Sequence, residues 1–277
     1  MSKKIVAFQG EAGAYSEAAA YAYFGNEIKT LPCKSFDELF AAVSTGQATH
    51  GIAPIENSLA GSIHRNYDLL LRNELHIIGE YHLRVSHCLM ALPGVALEDV
   101  QRVYSHPQAL AQCENSLNEM GLTPVVGADT AGSARALREH NDTTSAALAS
   151  KLAAQVYGLE ILEENMEDDP ANYTRFLALA PQPEKKQADD YKTSLAFTLI
   201  SKPGILFNAL SIFALREIDL TKIESRPQQG KPWEYLFHID FIGHVDDKPV
   251  ERALKHLEEI APFIRVFGSY PREQREW

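Results

Sequence analysis

The chain reads as an α/β protein: a large first part in which helices cover a largely parallel sheet, then a small ferredoxin-like domain. Three observations predict this. From residue 3 to residue 180, short apolar runs alternate with amphipathic segments, the pattern of strands and helices in a layered sheet. Residues 181–190, Pro-Gln-Pro-Glu-Lys-Lys-Gln-Ala-Asp-Asp, are polar, Pro-containing and aperiodic, as linkers are. Beyond them the order is β-α-β-β-α-β within about 80 residues, a small-domain size.

Taken in order, 4–8 is an apolar strand and 16–24 a helix. Ser35-Phe36-Asp37-Glu38 is a capping box that opens a helix ending near Gly46. Residues 51–55 form a strand that leaves a loop at Glu56-Asn57-Ser58, and a helix follows over 63–71. Residues 76–92 read as extended chain. After Pro93-Gly94 the pattern restarts with a strand at 102–104, a helix at 107–120, a strand at 124–126 and helices at 132–139 and around 147–157. In the small domain the strands fall at 193–200, 220–225, 235–242 and 264–267, with helices at 204–216 and 250–260.

Composition narrows the function. With 45% hydrophobic and 23% charged residues, the 277-residue chain has the make-up of a soluble globular protein with ample core. Its 26 basic and 37 acidic residues leave a net charge of −11, which argues against sequence-independent nucleic-acid binding. Any cationic site must therefore be local. Cys33, Cys88 and Cys113 are odd in number and form no CxxC pair, so they read as free thiols of a reducing, cytoplasmic compartment. The apolar run at 5–8 is too short for a signal peptide, and no run of about 18 apolar residues offers a membrane span. Ten histidines show no ligand spacing. His82 and His87 face opposite sides of an extended segment, so no metal is expected.

Five segments carry chemistry. Asn172-Tyr173-Thr174-Arg175-Phe176 puts an amide, a hydroxyl and a guanidinium at a strand edge. That set suits a small anion that must be gripped and handed a proton; it also fits a solvated strand end. Gly10-Glu11-Ala12-Gly13-Ala14-Tyr15-Ser16 opens a helix after the first strand. Its amides can hold an anion, or it is a plain turn with Ser16 as cap. It is not GxGxxG, so a dinucleotide site is not expected. Glu56, Asn57, Ser58 and Ser62 crowd a loop at the carboxyl end of a strand, where open α/β sheets bind ligands; Asn57 and Ser62 also suit a turn and a cap. Ser105-His106-Pro107-Gln108 repeats the strand-to-helix turn with Pro107 in the first helical turn, and His106 reads as acid or cap. Asp129-Thr130 follows the same logic. In the small domain, Lys202-Pro203-Gly204-Ile205-Leu206 opens a helix and Glu224-Ser225-Arg226-Pro227 ends a strand. A helix amino end attracts carboxylate and a nearby Glu attracts ammonium, so the pair suits a free amino acid; it reads otherwise as a surface loop with a weak ion pair.

In this order, the Asn-x-Thr-Arg-Phe, Glu-Ser-Arg-Pro, Pro-Ile-Glu-Asn-Ser, Ser-His-Pro-Gln-Ala-Leu and Gly-x-x-Gly-x-x-Ser segments resemble prephenate dehydratase with a C-terminal ACT regulatory domain. The resemblance covers nearly the whole chain. It implies a catalytic domain over 1–181 like a type II periplasmic binding protein, with one lobe at about 1–80 plus 175–181 and the other at about 81–174. A linker at 182–192 and an ACT domain at 193–277 follow. The implied reaction converts prephenate to phenylpyruvate without a cofactor. Thr174 would act on the leaving hydroxyl within a hydrogen-bond network, and Arg175 would hold a carboxylate. Asn172, Phe176, Glu56, Asn57, Ser58, Ser16, Ser105 and His106 would line the cleft.

The resemblance further implies L-phenylalanine as effector, bound between two ACT domains by Gly204, Ile205, Leu206, Glu224, Ser225, Arg226 and Pro227, and hence a homo-oligomer, dimer or tetramer. Ile205 stands where the family's motif carries a smaller residue. No helical chorismate mutase domain precedes the first strand, so a monofunctional enzyme is expected. Arogenate is the alternative substrate, and a non-catalytic phenylalanine sensor the alternative function. The lack of a transit peptide favours prephenate.

Overall fold

The computed structural model describes residues 3–227 and 235–273; the ends of the expected domains at 1–2 and 274–277 lie outside the described residues. Along the chain the elements are β1 (Ile5–Gln9), α1 (Tyr15–Phe24), β2 (Lys29–Cys33), α2 (Phe36–Ser44), β3 (His50–Asn57), β4 (Gly61–Ser62), α3 (His64–Arg72), β5 (His76–Arg84), β6 (Cys88–Ala91), β7 (Arg102–Ser105), α4 (Pro107–Gln112), α5 (Glu114–Glu119), β8 (Thr123–Val126), α6 (Thr130–His140), β9 (Ser145–Ala149), α7 (Lys151–Tyr157), β10 (Glu160–Glu163), β11 (Tyr173–Ala180), β12 (Tyr191–Thr198), α8 (Ile205–Ala214), β13 (Leu220–Pro227), β14 (Tyr235–Ile242), α9 (Lys248–Ile260) and β15 (Phe263–Pro271). They form two compact units, Met1–Leu69 with Tyr81–Leu177, and Leu70–Glu80 with Ala178–Trp277.

The first unit is two-lobed. One sheet runs β2-β1-β3-β11-β5, with β4 folded back on β3, and the other runs β10-β6-β9-β7-β8. Each sheet has the same plan: the second, first and third strands of its lobe, then a strand arriving from the other lobe, then the fourth. The arriving strands are β11 in the first sheet and β6 in the second. β1 pairs parallel with β2 and β3, and β7 parallel with β8 and β9. β6 enters the second sheet antiparallel to both β9 and β10. The expected parallel sheet is thus two mixed sheets: in the first β4 folds back antiparallel on β3, and in the second the crossing strand β6 runs against its neighbours.

Both faces of the second sheet are covered. Leu89, Val103, Ala146 and Leu148 pack with Cys113 and Leu117 on one side; Cys88, Met90, Ala147 and Ala149 pack with Ala134, Leu137 and Ala153 on the other. A strand buried on both faces has no polar alternation. This is why Ser145–Ala149, rich in the good helix former alanine, reads as the start of a helix in the sequence but is a strand. The helix expected over 107–120 divides at Cys113 (φ −122°, ψ 19°) into α4 and α5. The short strands β2 and β10 carry no signal strong enough to predict them. Ser35 caps α2, accepting from the Glu38 amide at 3.2 Å, while the Glu38 carboxylate reaches past the cap and accepts from the Lys34 amide at 2.8 Å.

The second unit contains the antiparallel sheet β13-β14-β12-β15. Leu195, Phe197, Ile239 and Phe241 of this sheet share a core with Ile212, Phe213 and Leu257 of α8 and α9, the ferredoxin-like arrangement. The segment Leu70–Glu80 belongs to this unit by contact. Arg265 donates to the Leu71 carbonyl at 2.8 Å and also to that of Asn73. Gly268 lies so close to this segment that a Cβ there would come within 2.1 Å of the Ile77 carbonyl oxygen. Lys192, nearly buried, donates to both oxygens of the fully buried Glu80 carboxylate at 2.7 and 2.8 Å.

Candidate active site

In the first unit a cavity of about 320 Å³ opens between the two lobes, within the range of small-molecule sites. Strand β11 supplies its floor. Side chains alternate along a strand, so Thr174 and Phe176 both line the cavity, whereas Arg175 does not and is buried.

Asn57, the last residue of β3, organises the floor. Its Oδ1 accepts from the backbone amides of Leu59 (3.1 Å) and Ala60 (2.9 Å), an Asx turn. That fixes its Nδ2, whose two hydrogens are shared among Asn172 Oδ1 (2.9 Å), the Tyr173 carbonyl (3.1 Å) and Thr174 Oγ1 (3.0 Å). Because Thr174 Oγ1 accepts from Asn57, its own proton is left to point elsewhere. Ser58 fastens the same loop to β11, accepting from the Tyr173 amide at 2.9 Å and donating to the Ala171 carbonyl at 2.7 Å. Asn172, fully buried, donates through Nδ2 to Gln112 Oε1 at 3.1 Å.

Across the cavity, His87 is buried and held on all sides. Its amide donates to Glu167 Oε2 at 2.8 Å, its Nδ1 meets the Tyr15 hydroxyl at 2.7 Å, and its Nε2 meets Gln112 Oε1 at 3.1 Å. Burial pushes the imidazole below its ordinary pKa, against the smaller opposing effects of Gln112 and Glu167. Desolvation pushes the half-buried Tyr15 phenol well above its usual value, and it stays protonated. His106 lines the cavity and caps α4 by accepting from the Gln108 amide at 3.2 Å. Asp129 does the same for α6 through the Gly132 amide at 2.6 Å, and Thr130 follows it at the rim.

The structure thus brings Thr174, Phe176, Asn57 and His106 to the cavity wall, with Asn172 immediately behind it. Ser58, Glu56, Ser16 and Ser105 are not at the wall. Ser105 is fully buried and donates to the Leu148 carbonyl at 2.6 Å, so it ties β7 to β9. Ser16 is the second residue of α1, whose cap position is Ala14 without a side-chain bond; Ser16 is not the cap. Nor does the Gly10–Tyr15 turn offer its Gly13 amide to an anion, since that amide donates to the buried Glu17 at 2.6 Å. Tyr15, His87 and Gln112 are the wall residues that sequence reasoning missed. Their only sequence signal is position, because each lies at a turn next to the carboxyl end of a strand or the end of a helix.

Among the described wall residues there is no Lys or Arg, and the described residues hold no group of three or more His, Cys, Asp or Glu placed to bind a metal. A larger cavity, about 390 Å³, lies along α6, where Arg135 is tied to Glu11 and Glu139. It shares Asp129 with the first but contains none of the Thr174 network, so the chemistry favours the smaller one.

A two-lobed α/β unit whose cavity is floored by an oriented hydroxyl and walled by amides is the framework of an enzyme acting on a small molecule. The profile of the family described as prephenate dehydratase matches residues 6–184, and that of the ACT domain residues 193–259. The chain belongs to the prephenate dehydratase family, whose members are carbon–oxygen lyases. Arogenate dehydratase/prephenate dehydratase 2, chloroplastic, of Arabidopsis thaliana is 50% identical over 280 residues, covering 98% of this chain and 73% of the relative. Among solved structures, the prephenate dehydratase of Arthrobacter aurescens in complex with L-Phe is 34% identical with a TM-score of 0.88, covering 97% of this chain and 90% of that one. A structure described as GqqA, a novel type of quorum quenching acylase, is 39% identical with a TM-score of 0.91, covering 98% of both.

Proposed function

We propose that this chain converts prephenate to phenylpyruvate, carbon dioxide and water, and that L-phenylalanine regulates it through the C-terminal domain. The carrying observation is the Thr174 hydroxyl, accepting from Asn57 at 3.0 Å and so free to donate into the cavity. In the reaction the bond from the ring carbon to its carboxylate breaks and its electrons enter the ring. The carbon–oxygen bond at the opposite ring carbon then breaks with its electron pair, and the leaving oxygen takes up one proton. The ring becomes aromatic, which drives the step. Thr174 is a weak acid, so its role is to hydrogen-bond the charge that develops on the leaving oxygen. Phe176 offers an apolar face to the flattening ring.

Domain limits of 1–181 for catalysis, 182–192 for the linker and 193–277 for regulation accord with the absence of helix or strand over 181–190. Gly204 (φ +79°) caps α8 in a left-handed conformation that favours glycine, and Glu224, Ser225, Arg226 and Pro227 end the edge strand β13. Ile205 packs partly into the domain core. These segments are the proposed phenylalanine site, completed by a second copy of the chain. Phe207 and Leu215, exposed at 74% and 83%, give that copy an apolar surface on the same domain. The three buried thiols suit a reducing compartment such as the cytoplasm. No helix of the described residues is long and apolar enough to cross a membrane.

Arogenate is the second reading, supported by the names of the plant relatives. Acyl transfer finds less support, because the partner of Thr174 is an amide donor and not a base that would activate a nucleophile. The test is turnover by the purified protein of prephenate, of arogenate and of an N-acyl amide, with and without L-phenylalanine. The expected result is loss of prephenate suppressed by phenylalanine. Faster loss of arogenate moves the substrate and keeps the site. Phenylalanine binding without turnover of either leaves a sensor.

A further inference from the structure

Thr174 stands on the first sheet of the catalytic unit, whereas His87 and His106 flank strands of the second. The distance from floor to wall is therefore set by the angle between the lobes. The chain passes between the two sheets twice, over 85–87 from β5 to β6 and over 164–172 from β10 to β11. Neither crossing is helix or strand, so neither has a ladder of its own to stiffen it.

The two crossings are laced to each other instead. The Val85 amide donates to the Asn172 carbonyl at 2.8 Å, and the Met166 amide to the His87 carbonyl at 2.9 Å. Asn165 takes a left-handed backbone (φ +59°), which asparagine tolerates better than most residues, and its Oδ1 accepts from the Ser86 hydroxyl at 3.2 Å. Between these bonds lies Glu167, whose side chain is 1% exposed. One of its oxygens accepts from the His87 amide at 2.8 Å and the other from the Arg84 guanidinium at 2.9 Å. The neighbouring Asp168 donates its amide to the Gln112 carbonyl at 2.8 Å, and its carboxylate takes the Asn115 and Ser116 amides at 3.1 and 3.2 Å. The second crossing thus grips both the first crossing and the junction of α4 with α5.

A buried carboxylate is costly unless charged and polar partners meet it. Glu167 has both, and its two accepting oxygens let one side chain hold two points of the other crossing. We propose that the two crossings work as one hinge and that Glu167 is its positioning residue, fixing the lobe angle at which the second-lobe wall faces Thr174. The proposal rests on the reading of this cavity as the prephenate site. Glu167 and Arg84 are not among the residues that line it, so they act through the hinge and not on the substrate.

The kinetic signature follows from population. Where the binding-competent angle is occupied only part of the time, apparent affinity falls by that fraction, while the saturated complex is unchanged. Glu167→Gln keeps the shape but has one accepting oxygen, so it holds His87 or Arg84 and not both. KM for prephenate is expected to rise about tenfold or more, the worth of a hydrogen bond to a charged group, with kcat within about twofold of wild type. Arg84→Met leaves the His87 bond in place and raises KM less; being half-exposed, it also carries the test should Glu167→Gln fold poorly. The double variant raises KM by less than the product of the single effects, because both remove the same contact. Thr174→Val shows the opposite split, with kcat down by about 10²-fold or more and KM nearly unchanged.

A carboxylate that only stabilised the fold would lower the urea midpoint and leave KM as in wild type. Hydrogen exchange read by mass spectrometry needs no substrate. In Glu167→Gln it is expected to quicken in peptides covering both crossings, while β1 exchanges as in wild type. The inference is overturned if KM of Glu167→Gln stays within about twofold of wild type, if kcat falls along with the rise in KM, or if the single effects multiply in the double variant. If wild-type protein turns over neither prephenate nor arogenate, the functional reading fails, and exchange alone decides the hinge: quickening in both crossings upholds it, and quickening in one or everywhere overturns it.

Discussion

At the scale of the residue, the buried His87 imidazole makes stability depend on pH in a predictable direction. Its pKa in the folded chain lies below the ordinary 6.5 because burial disfavours the cation. The unfolded chain therefore takes up this proton first as pH falls. The contribution of His87 is fully present above about pH 6.5 and is lost as pH drops through the folded value. His50 and His76 are lowered in the same way, mainly by burial, and act in the same direction. Urea melts at pH 5 and pH 7 are expected to show a smaller pH 7-over-pH 5 advantage for His87→Gln than for wild type. An unchanged difference would contradict the assignment. Single residues were only partly legible in the sequence. Thr174 and Asn57 stood out because a hydroxyl and an amide at the end of a strand are informative on their own. Gln112 and His87 did not, because their meaning lies in partners 60 and 25 positions away in sequence.

At the scale of the element, the turn between β1 and α1 is a clasp between lobes, not an anion cradle. Glu11 pairs with Arg135 at 2.6 Å, the Ala12 carbonyl accepts from Tyr157 at 2.8 Å, and the Gly13 carbonyl accepts from Ser150 at 2.5 Å. Gly13 (φ +85°) approaches so closely that a Cβ would sit 2.7 Å from the Ala153 Cα. Gly13→Ala is expected to lower stability by about 1–3 kcal/mol from backbone strain alone, read as a reduced urea midpoint. A smaller effect would mean that the lobes yield to it. Helices with caps and strands with one solvated face were legible from pattern. The strands missed are those where pattern fails: β9, apolar throughout because both faces are covered, and the short β2, β4 and β10. The shared strand order of the two sheets was invisible too, since topology repeats here without any repetition of sequence.

At the scale of the whole molecule, the ion pair of Lys192 and Glu80 shows what a hidden charge requires. The Glu80 carboxylate is 0% exposed and that of its partner ammonium 11%. Lys192→Met is expected to cost about 3–5 kcal/mol, since it strands a buried carboxylate, whereas replacing both partners by apolar residues of similar volume costs far less. Chemical denaturation of the single and double variants measures the difference. Equal losses in both would mean that packing, not charge, sets the cost. The order of domains along the chain was readable from the polar stretch after Pro181, but the division by contact was not. No local pattern announces that Leu70–Glu80, far upstream of that stretch, folds with the C-terminal sheet.

That segment changes what cutting the chain can achieve. A protease acting within 181–190 severs one covalent connection, yet the N-terminal fragment retains residues 70–80, gripped through Arg265, Lys192 and the close approach at Gly268. The two fragments should therefore migrate as one particle on native size exclusion and part only in denaturant. A C-terminal fragment expressed alone would carry an uncovered surface and a lysine without its counter-charge. The C-terminal domain is thus a separate paragraph in the sequence but not a detachable piece of the molecule.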